Sequence, residues 1–138
     1  IDGSTSTAIG AALVQKEQTV LITGDISFLY DSNALWNNYI PADFRIVMVN
    51  NSGGGIFRFI PGPKASDALE FFETPHNLDA SALCSMYGFD YHTAKNDEEL
   101  KHELKNFYAK SGKPALLEIF TPRESNDMIL ASYFKSLI

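Results

Sequence analysis

Short unbroken apolar runs alternate along the chain with segments whose apolar residues recur at helical spacing. Ser4 to Gln15 carries Ile9, Ala12 and Leu13 among small residues, with Ser and Thr at its start able to accept bonds from the first free amides, and predicts a close-packed helix. Thr19 to Thr23 is rich in β-branched residues and predicts a strand ending at Gly24-Asp25. Ser27 to Tyr39 predicts a helix with Phe28, Leu29, Leu35, Trp36 and Tyr39 over about one face, stopped by Pro41. Arg45 to Val49 predicts a second strand, and both apolar runs read as buried strands.

Asn50 to Pro75 breaks this alternation with three consecutive glycines, then Ile56-Phe57-Arg58-Phe59-Ile60, then Pro61-Gly62-Pro63. Such a stretch predicts a long functional loop rich in exposed aromatics. Leu78 to Tyr87 predicts a helix closed by Gly88, and Asp90 to Thr93 a strand. Asn96 to Lys110 predicts a helix with Asn96 as N-cap, Glu98 and Glu99 in the first turn and Lys110 in the last, complementing the helix dipole. Ala115 to Phe120 predicts another buried strand, interrupted by Pro122, and Ser125 to Leu137 a terminal helix carrying Met128, Ile129, Ala131, Tyr133, Phe134 and Leu137. Strands alternating with helices imply right-handed crossovers and an α/β fold, a three-layer α/β/α sandwich around a mainly parallel sheet.

A length of 138 residues fits one domain over residues 1–138. A net charge of −6 without any basic run argues against a general nucleic-acid-binding role, which needs clustered Lys and Arg. Cys84 is the only cysteine, so no intrachain disulfide can form, and a reducing, cytoplasmic setting is expected. Its neighbours Ala82, Leu83 and Met86 mark it as a small buried hydrophobe rather than a reactive thiol. No apolar stretch approaches the ~20 residues of a membrane span, and no signal peptide with a basic start is present. The first residue is Ile1 and it opens the turn Ile1-Asp2-Gly3, so the chain is expected to be a piece of a longer protein.

The chemistry is concentrated where the apolar runs end. Asp25 and Asn51 each sit just past one, and the interval between them holds a loop, a helix and a return strand, as in one βαβ unit. The carboxyl ends of neighbouring parallel strands open into one crevice, where open α/β folds bind ligands. The following Ser52-Gly53-Gly54-Gly55 lets the backbone approach a ligand closely. A carboxylate, an amide oxygen and a bare carbonyl suit a hard cation holding a phosphate group, and free amides of a helix beginning around Ile26-Ser27 suit the anion.

Gly24-Asp25-Ile26 followed by Asn50-Asn51 resembles the signature of thiamine-diphosphate-dependent enzymes, Gly-Asp-Gly with a later Asn-Asn pair, with Ile26 standing where most relatives have Gly. Ile1-Asp2-Gly3, the run from Gly24 to Leu35, and Asn50-Asn51-Ser52-Gly53-Gly54-Gly55-Ile56-Phe57 resemble more narrowly the MenD family within those enzymes. Its members are 2-succinyl-5-enolpyruvyl-6-hydroxy-3-cyclohexene-1-carboxylate synthases of menaquinone biosynthesis. The resemblance is strong to about Pro63, weaker beyond, and covers only the C-terminal, diphosphate-binding domain. It implies that Asp25, Asn51 and the Gly53 carbonyl ligate magnesium, with manganese as an alternative, and that the metal bridges the diphosphate. It further implies that Gly24, Ile26 and Ser27 lie along the phosphates, that Ile1 wedges beneath the bent cofactor, and that Ile56 and Phe57 line the substrate pocket. The implied reaction is decarboxylation of 2-oxoglutarate and addition of the resulting carbanion to isochorismate, in a homodimer or homotetramer of the longer chain. The glutamate that activates the cofactor belongs, in such enzymes, to an N-terminal domain of a partner subunit. No catalytic residue is therefore assigned here, and the chain by itself is expected to be inactive.

Arg58 could face a substrate carboxylate or simply the solvent, and no role is assigned to it. Phe57 and Phe59 have an alternative as core residues of an inward-folded loop. His76, His92 and His102 are scattered without a second ligand at metal spacing. Asp31 and Asn33 either contact a neighbouring domain or are solvated, and Asp97-Glu98-Glu99 is a charged helix start. Two alternatives stand beside the synthase reading: another thiamine-dependent 2-oxoacid decarboxylase or acetolactate-synthase-like enzyme, and a non-catalytic assembly module.

Overall fold

Four strands, β1 (Val20–Gly24), β2 (Arg45–Asn50), β3 (Asp90–Ala94) and β4 (Ala115–Phe120), pair in the order β1-β2-β4-β3, and all three pairings are parallel. The computed structural model describes residues 1–60 and 62–137. They fall into two compact units, one formed by Ile1–Asn50 with Asp79–Phe120, the other by Asn51–Leu78 with the chain from Thr121 onward.

The first unit holds the sheet and four α-helices: α1 (Ser4–Val14), α2 (Asp25–Tyr30), α4 (Ser81–Tyr87) and α5 (Asp97–Phe107). Side chains alternate across a strand, so β2 and β4 feed two cores. Ile46, Met48 and Leu116 pack with Ile9 and Ala12 of α1, Phe28 of α2 and Cys84 of α4. Ala115 and Leu117 pack on the opposite face with Phe107 of α5 and Ala94. Helices thus cover both faces, and the three-layer arrangement expected from the alternation is present.

The outer elements depart from the pattern. The β1 run reads as buried, yet β1 is an edge strand with Val20 and Ile22 exposed, because the α5 layer covers β3 and β4 and leaves that end of the sheet bare. The helix expected over Ser27–Tyr39 starts earlier, at Asp25, and breaks at Asp31 into α2 and a 3₁₀ turn over Ser32–Trp36. Phe28 and Leu35 are buried, but Trp36 and Tyr39 are 72% and 75% exposed, since the break rotates the later residues off the helical face. Asp31 accepts bonds from the Ser6 amide at 2.7 Å and the Ser6 hydroxyl at 2.6 Å, capping the first turn of α1. It is buried, so neither solvation nor a neighbouring domain accounts for it.

Arg45 opens β2 and is fully buried within a run read as apolar. Its guanidinium donates to the carbonyls of Phe107 (2.6 Å), Ala109 (2.7 Å), Ala42 (2.9 Å) and Phe44 (3.0 Å). Two of these lie at the C-terminal end of α5, where unpaired carbonyls and the dipole favour a cation. Asn96 caps the other end of α5, its Oδ1 accepting from the Glu98 and Glu99 amides, as its sequence position predicts.

The second unit carries two 3₁₀ turns (Gly55–Arg58 and Pro63–Ala65) and the helices α3 (Leu69–Glu73) and α6 (Asn126–Lys135). The long loop therefore has local structure of its own. No residue of α6 is buried, and Met128, Ile129, Tyr133 and Phe134 are all exposed.

Candidate functional site

β1 and β2 run side by side with Gly24 opposite Val49, so both strands reach their carboxyl ends at one edge of the sheet. Gly24 is extended and delivers the chain into α2, whose first residue is Asp25. Asp25 is buried, and its Oδ1 accepts the Ile26 amide at 2.7 Å, the orientation of a carboxylate set over a helix start. Ile26 lies within the first turn of α2, a conformation open to any L residue, which is why Ile can replace the glycine of the related signature. Ser27 follows on the same turn and is half-buried. Ile1, at the chain's first position, is exposed.

Asn50 closes β2 in the interior. Its Nδ2 donates to Glu118 Oε1 at 2.6 Å, and Glu118 Oε2 accepts from the Ala80 amide (3.0 Å) and the Tyr91 hydroxyl (2.6 Å). In the sequence the only signal for Glu118 is a charged residue inside an otherwise apolar strand. Burial, then the bond to Glu118, pushes the Tyr91 hydroxyl above its ordinary value. The same interior pushes the Cys84 thiol up to about 12, chiefly through burial, so this cysteine is inert as expected.

In the second unit the glycine loop is tightly held. Ser52 and Gly53 both have positive φ, 61° and 149°. A Cβ on Gly53 would stand 2.8 Å from the Glu73 carbonyl oxygen, so the close approach requires glycine. Gly54 donates its amide to that same carbonyl at 2.7 Å. A Cβ on Gly55 would collide with the Asn51 side-chain amide nitrogen, so the Asn51 amide occupies the place that glycine leaves open. Its oxygen is the end not facing Gly55. Ile56 is exposed and Phe57 half-buried, with the Phe57 ring 5.4 Å from that of Phe72.

Arg58 forms a two-point ion pair with Glu73, Nε to Oε1 and Nη2 to Oε2, the latter at 2.9 Å. Arg123 Nη2 lies 3.4 Å from the same Oε2. The bond to Glu73 holds the Arg58 guanidinium above its ordinary value. Neither the pair nor Arg123 was anticipated from the sequence. A hollow of about 500 Å³ in this unit is bordered by Ser52, His76 and Arg123. His92 pairs with Glu103 at 2.8 Å, and His102 lies on the solvated side of α5 with Glu98 and Glu99, so neither histidine enters the site.

Among the described residues no group of three or more His, Cys, Asp or Glu is placed to hold a metal. A carboxylate, an amide oxygen and a main-chain carbonyl are all hard donors, which fits magnesium better than a soft or borderline ion. No helix among the described residues is long and apolar enough to cross a membrane.

A parallel sheet covered on both faces, with a buried carboxylate where two strands end, defines a ligand-binding α/β domain. The chain belongs to the thiamine pyrophosphate enzymes, specifically the family of their C-terminal TPP binding domain, which matches residues 3–119. It is 58% identical, over 97% of its length and 23% of the relative's, to the 2-succinyl-5-enolpyruvyl-6-hydroxy-3-cyclohexene-1-carboxylate synthase of Christiangramia forsetii. It is 54% identical, over 99% of its length and 25% of the relative's, to the synthase of the same name from Flavobacterium psychrophilum. The chain thus spans about a quarter of the length of these curated relatives. Among solved structures, the Rhodococcus jostii RHA1 thiamine diphosphate-dependent 4-hydroxybenzoylformate decarboxylase shares the fold, with a TM-score of 0.64 and 24% identity over 86% of this chain and 23% of that one.

Proposed function

We propose that this chain is the C-terminal, diphosphate-binding domain of a synthase that decarboxylates 2-oxoglutarate and joins the remainder to isochorismate in menaquinone biosynthesis. The observation that carries the reading is the buried Asp25 carboxylate at the edge where β1 and β2 end together. The high identity to synthases of that name supports the choice of substrates.

Asp25, Asn51 and the Gly53 carbonyl are the proposed ligands of Mg2+, which Mn2+ can replace. Gly24, Ile26 and Ser27 would lie along the diphosphate, with the Ser27 hydroxyl as a donor while the Ile26 amide is held by Asp25 Oδ1, and Ile1 would lie against the cofactor. When bound, thiamine diphosphate supplies the electron sink for loss of carbon dioxide; the protein contributes binding and orientation. Asp25 is set for its part because burial beside the first amides of α2 keeps its carboxylate oriented. Ile56 and Phe57 would line the substrate pocket as its apolar wall. Activation of the cofactor falls to a glutamate of an N-terminal domain, from a partner copy in a homodimer or homotetramer. That arrangement would cover the exposed Trp36 and Tyr39 and the exposed apolar residues of α6. A cytoplasmic setting belongs to the same reading.

Calorimetry on the full-length protein tests it: thiamine diphosphate with Mg2+ should give a binding isotherm that Asp25→Ala abolishes. Carbon dioxide should be released from 2-oxoglutarate, with product formed only when isochorismate is present. Wild-type protein that binds no cofactor, or an Asp25→Ala variant that binds it unchanged, refutes the proposal.

A further inference from the structure

We propose that Glu73 is the positioning residue of the glycine loop, gripping both ends of the segment that carries the substrate wall. The inference rests on the functional reading above and gives Arg58 a definite role within it.

The geometry lies wholly within the second unit. At the N-terminal end of the segment, the Glu73 main-chain carbonyl accepts the Gly54 amide at 2.7 Å and stands 2.8 Å from where a Cβ on Gly53 would be. At the C-terminal end, its carboxylate takes the Arg58 guanidinium in a two-point pair. Ile56 and Phe57 lie between these two grips. A third contact, Phe57 against Phe72, joins the same segment to the residue preceding Glu73. One residue of α3 therefore determines where the Gly53 carbonyl and the Ile56-Phe57 wall stand.

Burial makes the grip firm. The Glu73 side chain is 1% exposed, and a carboxylate removed from water must be matched by charged donors. Arg58 and Arg123 supply them, and the planar fork of Arg58 matches the carboxylate at two points where a lysine would match one. Arg58 is thus committed to Glu73 and is not the group that receives a substrate carboxylate. Its place directly after Phe57 lets it transmit the position of α3 to the wall.

The test uses the full-length protein and its KM values for Mg2+ and for 2-oxoglutarate, with kcat measured at saturation. Glu73→Gln and Arg58→Gln should each raise both KM values about tenfold while kcat stays within about threefold, because the ligands remain but are no longer preset. Arg58→Lys should recover only part of the loss, since it restores charge without the fork. If Glu73→Gln does not fold, Arg58→Gln decides, because its guanidinium is partly exposed and Arg123 still faces Glu73. Wild-type activity independent of Mg2+ and thiamine diphosphate would overturn the functional reading itself. A wild type that depends on both, beside variants whose KM values stay within about twofold, would overturn the positioning role alone.

Discussion

Asn50 Nδ2 donates to Glu118 Oε1 at 2.6 Å, tying the last residue of β2 to β4 inside the core. In the parallel register Asn50 lies opposite Phe120 and Met48 opposite Glu118, so the bond crosses diagonally on one face of the sheet. A charge inside a strand is tolerated because three donors converge on it. The residue immediately before Asn51 is thereby locked.

Glu118→Ala should therefore destabilise the protein by about 3–5 kcal/mol, because the Asn50 amide, the Ala80 amide and the Tyr91 hydroxyl would lose their acceptor while buried. Denaturant unfolding of the full-length protein, followed by a signal from this domain, measures it. A loss below about 1 kcal/mol would show that water or a rearranged side chain satisfies the donors.

Gly55→Ala separates binding from folding. The backbone at Gly55 has no positive φ, so alanine costs the fold little and can stiffen it. The new methyl must push aside the Asn51 amide, the far end of a movable side chain. The expected result is a melting temperature unchanged or slightly raised, with Mg2+ affinity reduced about tenfold. Unchanged affinity in a metal titration would remove Asn51 from the ligand set.

Alkaline pH should weaken the fold through Cys84. Its thiol ordinarily titrates near 9.0 and in the folded chain near 12, so between those values the folded state holds a proton that the unfolded state has released. Stability from this group is fully present below pH 9 and falls as pH rises toward 12, by at most about 1.4 kcal/mol per pH unit. Tyr91, raised for the same reason, acts in the same direction. Cys84→Ser or Cys84→Ala, compared with wild type in unfolding at pH 8 and pH 10.5, should show a smaller loss on going alkaline. At pH 8 the native thiol should also resist alkylation and react only after unfolding.

The legible parts of the fold were those with local causes. The caps at Asn96 and Gly88 and the helices and strands they bound were visible because their partners lie within a few residues. Asp25 and Gly24 were visible because an apolar β-branched run ends there and a polar, helix-starting segment begins. Trp36, Tyr39 and β1 were misjudged because apolar spacing marks a face but cannot show whether another layer covers it. Asp31, Arg45, Glu118 and Glu73 escaped for a related reason. Each is a buried charge whose partners stand 15 or more residues away in at least one contact, and no local pattern records such a pairing.

By itself the sequence determined the alternation of strands and helices, the polar pair at the strand ends and the glycine run after them, because these depend on side-chain type and short spacing. Only the tertiary structure decided which charges are spent on holding the protein together. Arg58 could have met a substrate or the solvent, and its chemistry allowed both. Glu73, buried and in need of positive partners, claims it.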